Sequence, residues 1–319
     1  MVSPPTLSAT GPAGKKRSGD IQDYERDGTI PSAFPQLWTR PEVRGALCAM
    51  QGRVCAYCGA DLGEAGIDVD HFRPKGSVDG ESTSGGYWWL AYEFSNYLLS
   101  CIVCNQKCKR NRFPLEDGAG RVGYHDRHLL PEERRILLDP TSDDVEGWLS
   151  FDWRKPAGRV IANPALAPML ARRVDQVLLF FRVNRRAAQR KKRAAIQQLV
   201  IEKIGQGKVD EIRTLAIRYR PHSIVARQIL ESTAPQALPT PQEELQWLLE
   251  ELSSELILKL EDLNDPSLSS DVDEKEAKEL LWALAVLWKD PPAGTAEFIA
   301  EILDRRGLKD LVSEYLELL

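Results

Sequence analysis

The sequence predicts an α+β fold that is mostly helical. From residue 167 onward, apolar residues recur at helical spacing. The helical pattern breaks at 221, 235–241, 264–270 and 291–292. Three short strand-like pieces, IDVD, WLSFDW and GRVIA, supply the β component. With 319 residues, of which 43% are hydrophobic, the chain can bury one large core or two modest ones.

The first fifty residues predict one flexible segment and one helix. Residues 1–33 are rich in Pro, Gly, Ser and charge, which is typical of a flexible segment. The stretch PEVRGALCAMQG at 41–52 predicts a short helix, because Pro lies in its first turn and Gly ends it. Cys48 is expected to be a core residue of this helix.

The chain carries no recognisable export or membrane signal. Its start, MVSPPTLSATGPAG, lacks an apolar secretory core. The longest apolar run, Leu280–Trp288, is far shorter than the roughly 20 residues of a membrane-spanning helix. We therefore expect a cytoplasmic protein with no membrane association. In a reducing cytoplasm, paired cysteines bind metal more often than they form disulfides.

Two C-x-x-C pairs form the strongest motif. Cys55–Cys58 and Cys101–Cys104 are separated by 42 residues. Each pair can bring two thiolates to about 2.3 Å from one ion, so two pairs predict a tetrahedral structural zinc site. Gly59 suits the tight turn of a zinc knuckle. A redox-active or merely buried pair is the alternative. Cys108 lies outside the spacing and is expected to be a bystander, although it could substitute as a ligand.

The zinc clamp encloses a strand and a helical segment that carry polar groups. In IDVDHFRPK, Asp68 and Asp70 alternate with aliphatic residues, as in a half-buried strand that ends at His71. The segment SNYLLSCIVCN becomes helical through the second cysteine pair and places Asn105 directly after it. The clamp therefore ties Asp70–His71 to Asn105. The other histidines are expected to be exposed (His125, His128) or structural (His222).

The segment at 54–115 carries a family resemblance. CAYCG … VDHFRPKG … WWLAYEFSNYLLSCIVCNQKCKRNRFPL closely resembles the HNH endonuclease family, whose folding unit is the ββα-metal motif. It is similar to a branch in which several members are encoded beside an ATPase in bacterial anti-phage systems of the Septu type. ILLDPTSDDVEGWLSF at 136–151 also resembles these proteins. The resemblance covers roughly 36–152 and implies a zinc-clamped ββα-metal HNH core with an extended C-terminal helical region.

The resemblance implies a role for each motif residue. His71 matches the first position of the motif and would be the general base, because neutral imidazole accepts a proton near neutral pH. Asp70 matches the metal-binding acid, and Asn96 matches the central Asn that orients the histidine. Asn105 matches the last position, where many relatives have His and others Asn, and would be the second ligand. Such an all-oxygen ligand set favours Mg²⁺ or Mn²⁺. Asp68 ranks below Asp70 and stays undecided.

Basic residues near the motif predict sequence-independent phosphate contacts. They are Arg73, Lys75, Lys107, Lys109, Arg110 and Arg112. Farther on, Ala171–Arg193 holds nine cations and one acid. Its apolar residues trace one helical face against a core. This face is formed by Val174, Val177, Leu178 and Phe181. We favour a nucleic-acid track or a docking face for its cationic remainder, and an ordinary solvated surface is the alternative.

Charge is divided unevenly along the chain. Residues 241–319 carry 7 Lys and Arg against 20 Asp and Glu, a net charge of −13, and residues 1–240 carry +8. This asymmetry predicts one part that binds polyanions and one that repels them. The acidic helices would serve as a partner-binding surface, a lid over the basic face or a solubilising cap. The predicted divisions are a flexible segment at 1–33, an HNH nuclease domain with zinc knuckles at 34–165, a basic helical region at 166–240 and an acidic helical bundle at 241–319.

Three functions are compatible with these motifs. The favoured one is a metal-dependent HNH endonuclease that cuts double-stranded DNA in anti-phage defence, with an ATPase partner docked through the C-terminal helical region. An RNA nuclease of the same fold, for example one acting on tRNA, is the second, because the chemistry does not require the 2′-OH. The third is a zinc-stabilised nucleic-acid-binding protein without cleavage, which has no need of Asp70, His71 and Asn105 together.

Overall fold

The computed structural model describes residues 4–81, 85–151, 158–264 and 271–319, which divide into two compact units. The first unit comprises the described parts of Met1–Gly52, Trp89–Leu99 and Thr240–Leu319. The second comprises those of Arg53–Trp88 and Ser100–Pro239. Both units are discontinuous in sequence. The linear domain limits drawn from the sequence remain a prediction.

Helices dominate both units, as predicted. In chain order the α-helices are α1 (Pro12–Asp27), α2 (Pro41–Gln51), α3 (Leu62–Ala65), α4 (Val145–Trp148), α5 (Pro168–Phe180), α6 (Ala187–Gly205), α7 (Ser223–Thr233), α8 (Pro241–Asn264), α9 (Asp271–Lys289), α10 (Ala296–Arg305) and α11 (Lys309–Leu316). Short 3-10 segments lie at Pro5–Leu7, Leu37–Thr39, Trp88–Leu90, Phe94–Asn96, Arg127–Glu132, Val209–Ala216 and Pro235–Ala237, and a π-helical segment spans Val103–Lys109.

The strands form two small two-stranded sheets. Their strands are β1 (Ile67–His71), β2 (Tyr97–Cys101), β3 (Leu149–Phe151) and β4 (Val160–Ala162). β1 pairs with β2, and β3 pairs with β4 in antiparallel register, with Phe151 opposite Val160. Each of the strand-like pieces IDVD, WLSFDW and GRVIA is thereby confirmed to contain a strand. In the second piece Trp148 ends α4, and Asp152 and Trp153 lie outside the described residues.

Most predicted helix boundaries are confirmed. α2 begins at Pro41 and ends before Gly52, whose φ is 67°. Prolines open α5 and α8, consistent with the fixed φ of Pro suiting a first helical turn. The predicted break at 264–270 lies, apart from Asn264, outside the described residues. No helix in the described ranges is long and apolar enough to cross a membrane.

The N-terminal segment contains a helix that composition did not predict. α1 starts at Pro12 and is followed by Gly28 in the left-handed conformation, with φ of 79°. Lys16 pairs with Asp20 one turn later. These local signals outweigh the high Gly and Ser content. The first three residues of the segment predicted to be flexible lie outside the described residues.

The core of the first unit joins the acidic C-terminal helices to α2. α9 packs against α2, α8 and α11, and its residues from Ala277 to Leu287 are buried almost without interruption. A side chain at Gly45 of α2 would overlap the Glu279 backbone and Trp282. The two helices can approach this closely because glycine lacks a Cβ. Arg44 also pairs with Glu279 at 3.0 Å.

The second unit carries the cysteine motifs. It includes β1, the end of β2, and the π-helical segment that follows β2. α5, α6 and α7 also belong to this unit. The predicted apolar face of α5 is confirmed, since Val174, Val177 and Leu178 are buried, and so is Phe181 just beyond the helix. This unit therefore brings strand, helical turn and cysteine pairs together.

Candidate functional site

The four predicted cysteines converge on one point. The sulfurs of Cys55, Cys58, Cys101 and Cys104 are buried and lie within 4.8 Å of one another. Cys58 Sγ and Cys101 Sγ are 3.9 Å apart. A tetrahedron with metal–sulfur bonds of about 2.3 Å has edges of about 3.8 Å. The donor set therefore fits one structural zinc ion.

The backbone around each cysteine pair has the form of a knuckle. Gly59, with φ of 69°, donates its N–H to the Cys55 carbonyl at 2.9 Å. In the second pair, the Cys104 N–H points to Cys101 Sγ at 3.4 Å. Burial raises the pKa of the Cys55 thiol well above its ordinary value. A bound cation would offset that cost, because metal binding stabilises the thiolate.

The other cysteines and histidines match their predicted environments. Cys48 is buried in α2. Cys108 is also buried, outside the four-sulfur group, and its thiol points to a backbone carbonyl. His125 and His128 are exposed, and His222 is buried. The described residues therefore place no fifth cysteine in the four-sulfur group itself.

Asp70, the predicted metal ligand, is buried and engaged by two side chains. Tyr57, which lies inside the first cysteine pair, donates its hydroxyl proton to Asp70 Oδ2. Lys109 Nζ lies 3.0 Å from Asp70 Oδ1 and 2.6 Å from the carbonyl oxygen of His71. Burial raises the pKa of the Asp70 carboxyl, and the charge of Lys109 opposes this shift. Lys109 thus supplies positive charge where we expected a divalent ion.

Asn105 is held against the strand through Asp68. Asn105 Nδ2 donates to Asp68 Oδ2 at 3.2 Å, and Gln106 Nε2 donates to the same oxygen at 2.9 Å. Asn105 lies in the π-helical segment, where its carbonyl accepts the Arg110 N–H at 2.6 Å. Such π-helical turns often occur at functional sites. The structure therefore gives Asp68, which the sequence left undecided, a direct contact with a predicted metal ligand.

His71 and Asn96 are both buried, with 5% and 4% exposure. His71 ends β1 in the second unit. Asn96 belongs to the first unit, where its Nδ2 donates to the Leu90 carbonyl at 3.2 Å. This contact joins the two short 3-10 segments before β2. The roles of His71 as base and of Asn96 as its orienting residue stay predictions.

Arg73 has an internal partner that the sequence did not reveal. Its Nε lies 3.0 Å from the buried carboxylate of Glu133. Glu133 also accepts the Tyr87 hydroxyl at 2.6 Å and the Val122 N–H at 3.1 Å. The Arg73 guanidinium carbon lies 5.5 Å from the Phe113 ring centroid, within cation–π range. Arg73 therefore ties the end of β1 to the segment at 122–133, and its phosphate contact stays a prediction.

The remaining predicted phosphate contacts divide by exposure. Lys109 is 1% exposed, and its phosphate contact stays a prediction. Lys107, Arg110 and Arg112 are exposed, and Lys75 is half-buried. The Arg112 guanidinium carbon also lies 4.4 Å from the Phe180 ring centroid. Sequence alone could not separate these residues, because the buried partners lie far away along the chain.

The basic stretch Ala171–Arg193 also divides into internal and exposed cations. Arg173 pairs with Asp143 at 3.1 Å. Arg193 is 1% exposed and donates to the Gly158 carbonyl at 2.9 Å. Arg186 contacts the cysteine cluster. The exposed cations of the stretch are Arg172, Arg182, Arg185, Arg190, Lys191 and Lys192.

Known proteins resemble part of this chain. No family model matches it. It is 32% identical over 129 residues to the Septu protein PtuB of Bacillus mycoides strain KBAB4, covering 39% of this chain and 43% of that protein. It is 34% identical over 102 residues to the Septu protein PtuA of the same strain, covering 31% and 14%. It is 28% identical over 118 residues to the "Retron Vc95 putative HNH endonuclease" of Vibrio cholerae serotype O1 biovar El Tor, covering 35% and 51%.

These similarities confirm the resemblance to an HNH-type branch of proteins. More narrowly, the branch is the one related to Septu, and it includes a relative named for a retron. The chain spans about half or less of the length of each of these relatives.

Proposed function

We propose that this protein is a metal-dependent HNH-type endonuclease that hydrolyses phosphodiester bonds in double-stranded DNA during bacterial anti-phage defence. The observation that carries the proposal is the contact between β1 and the segment behind the second cysteine pair. Asn105 Nδ2 lies 3.2 Å from Asp68 Oδ2, and Lys109 Nζ contacts both Asp70 and His71. The names of the relatives support the nuclease and defence parts of the proposal.

We infer that β1, β2 and the π-helical segment form the ββα-metal unit of this family. Their order along the chain is strand, strand and helical turn, and the four-cysteine group holds both ends of the unit. In this unit His71 accepts a proton from the attacking water, as a general base, and Asn96 orients the imidazole. A buried base of this kind is positioned by its surroundings rather than by solvent.

Asp70 and Asn105 would hold the catalytic Mg²⁺ or Mn²⁺. Their carboxylate and amide oxygens are the ligand type that these ions prefer. Asp70 Oδ1 already has an ammonium group at 3.0 Å, so its surroundings accommodate positive charge. When bound, the ion supplies neutralising charge for the scissile phosphate and the departing 3′ oxygen. Lys109 would have to release Asp70 for that carboxylate to become a ligand.

Exposed and half-buried cations of the second unit would contact the phosphate backbone. Lys107, Arg110 and Arg112 belong to the π-helical segment and its exit, next to the candidate site. Lys75 follows β1 in the same unit. Contacts of this type position the nucleic acid without reading its sequence.

We also propose an ATPase partner that docks on the acidic C-terminal helices. The family resemblance implies such a partner, and two relatives carry Septu names. The net charge of −13 over residues 241–319 favours a protein over a nucleic acid as the ligand of this region. Affinity purification of the tagged chain from its native host should recover an ATPase. Charge-reversing substitutions at exposed acids of α8 should reduce the amount of ATPase recovered. Purification of the tagged chain with no ATPase bound would contradict this part of the proposal.

A substrate panel tests the proposed activity. The purified chain, alone and with its co-purified ATPase, is incubated with Mg²⁺ and supercoiled plasmid, linear duplex DNA or tRNA, with chelated controls. We expect Mg²⁺-dependent nicking or linearisation of the plasmid. Cleavage of tRNA alone would replace the DNA assignment with the RNA one. Binding of both substrates without cleavage of either would contradict the nuclease assignment.

A further inference from the structure

Arg186 lies directly against the cysteine cluster. Its Nη1 is 3.3 Å from Cys58 Sγ and 3.6 Å from Cys101 Sγ. Its Nη2 is 3.1 Å from Cys104 Sγ. One guanidinium therefore donates to sulfurs of both cysteine pairs. Arginine remains charged in proteins and presents its donors in a rigid planar fork, which suits such a divided contact.

Helix formation alone does not favour an arginine at the position of Arg186. Arg186 is the N-cap of α6 and makes no capping hydrogen bond through its side chain. Ser, Thr, Asp and Asn are the residues that cap helices well. The first turn of α6 contains no acid, and four cations follow at Arg190–Arg193. Positive charge at a helix N-terminus is unfavourable, because it opposes the helix dipole.

The cysteine cluster supplies the missing anionic partner. Four thiolates around one Zn²⁺ leave a net charge of about −2 on the centre. A buried charge of this size requires nearby donors or counter-charge, because burial removes the compensating water. The Arg186 guanidinium contacts three of these buried sulfurs, and Arg186 itself is half-buried.

A second set of contacts links Arg186 to the candidate site. Arg186 Nη2 donates to the Phe181 carbonyl at 2.8 Å. The Phe181 ring stacks on Tyr57, with ring centroids 4.3 Å apart. Tyr57 in turn donates to Asp70. The turn between α5 and α6 is therefore connected to the first knuckle and to β1 through side chains that touch one another.

We propose that Arg186 is the counter-cation of the zinc–cysteine centre, and that the occupied centre fixes the start of α6, with its exposed cations, on the second unit. Arg186 is a positioning residue: it acts on the metal through the thiolates, and the metal acts on α6 through Arg186. The inference rests on the zinc site and not on the cleavage activity. A stretch that looks uniformly basic in sequence thereby contains a cation that contacts the metal centre, and the same guanidinium also reaches the neighbouring Cys108 Sγ at 3.5 Å.

Zinc release measures the first half of this proposal. Transfer of zinc from the purified chain to a coloured chelator is followed for wild type, Arg186→Gln, Arg186→Lys and Arg185→Gln. We expect faster release in Arg186→Gln, because losing a group that supports metal ligands usually lowers metal affinity by about 10- to 100-fold. The release rate of Arg186→Lys should lie between those of wild type and Arg186→Gln, because lysine keeps the positive charge but lacks the planar, forked donors of the guanidinium. Arg185→Gln is the matched control, since Arg185 is exposed beside Arg186 and should release zinc at the wild-type rate.

Hydrogen exchange measures the second half. Amides at the start of α6 should lose protection in zinc-loaded Arg186→Gln, whereas those of α7 should keep it. The same α6 amides should lose protection in wild type when zinc is chelated. This second measurement tests whether the occupied centre fixes the start of α6 even if Arg186→Gln fails to fold. Wild-type zinc release in Arg186→Gln, or full protection of α6 after chelation, would overturn the proposal.

Discussion

Lys107 and Lys109, two residues apart in the KCKR stretch, have opposite environments. Lys107 is exposed, and Lys109 is 1% exposed with its ammonium on Asp70 and the His71 carbonyl. The convergence of the four cysteines could be predicted at residue scale, because two C-x-x-C pairs supply the four donors of a tetrahedral zinc site. The cation partners could not be predicted, because Glu133 is 60 residues from Arg73 and no local spacing signals the pair.

Lys109→Met should make Asp70 more dependent on Mg²⁺. Removing the ammonium leaves a buried carboxylate without its counter-charge, which costs about 3–5 kcal/mol of unfolding free energy. We expect a lower thermal midpoint without divalent ions and a larger Mg²⁺-induced recovery than in wild type. Calorimetry at several Mg²⁺ concentrations measures both effects. Lys107→Met is the control and should match wild type. An Mg²⁺ response of Lys109→Met equal to that of wild type would argue against metal binding at Asp70.

His222 should make stability depend on pH. Burial, reinforced by the charges of Arg193 and Lys192, lowers the pKa of His222 to about 3. Its ring Nε2 lies 2.7 Å from Gln189 Oε1. The backbone N–H of His222 donates to the Gly59 carbonyl beside the first cysteine pair. The unfolded chain, with an ordinary pKa of about 6.5, binds more protons than the folded chain between these values. The contribution is thus complete above about pH 6.5 and is lost as pH falls toward 3.

The slope attributable to His222 is at most about 1.4 kcal/mol per pH unit. Denaturant unfolding of wild type and His222→Gln between pH 7 and 4, with excess zinc at each point, measures it. Wild type should lose stability more steeply than His222→Gln on acidification. Parallel pH profiles for the two proteins would refute the buried, neutral histidine.

Elements with strong periodicity could be predicted, and elements held by special local geometry could not. α2 and α5 follow from proline placement and apolar spacing, and β1 follows from alternation. α1 depends on a proline start, an ion pair and a left-handed glycine within a polar composition. The π-helical segment depends on a carbonyl that accepts from five residues ahead, which leaves no signature in residue spacing.

The exposed cations around the start of α6 should bind nucleic acid without sequence preference. The triple variant Arg185→Gln, Arg190→Gln and Lys191→Gln removes three exposed charges. We expect weaker DNA binding for unrelated sequences. The salt dependence of log K should become shallower by about 0.9 for each phosphate that the variant no longer neutralises. Fluorescence anisotropy at several salt concentrations measures this change.

A second triple variant is the control for the first. It removes three exposed lysines from the acidic helices, Lys278→Gln, Lys289→Gln and Lys309→Gln. This variant carries the same change in net charge and should bind DNA about as well as wild type. An equal loss of binding in both triple variants would favour an ordinary solvated surface over a nucleic-acid track.

Across the whole molecule, the boundary between basic and acidic sequence differs from the boundary between the packed units. The acidic region at 241–319 is separate in sequence, yet its helix α9 forms one core with α2, where Gly45 meets Glu279 and Trp282. The charge asymmetry was visible in the sequence, whereas this helix pairing was not, because contacts between distant segments leave no local pattern. Deletion of the acidic region would therefore expose the buried face of α2, and surface substitutions are the better test of its partner-binding role.

The central claim is that a zinc-clamped chain cleaves nucleic acid through His71. The most direct measurement is Mg²⁺-dependent plasmid cleavage by wild type, His71→Ala and His128→Ala, each shown by metal analysis to hold one zinc per chain. His128 is exposed and serves as the control for loss of a histidine. We predict that His71→Ala loses at least about 100-fold in rate, the lower range for a general base, and that His128→Ala cleaves like wild type. Undiminished cleavage by zinc-loaded His71→Ala would contradict the account.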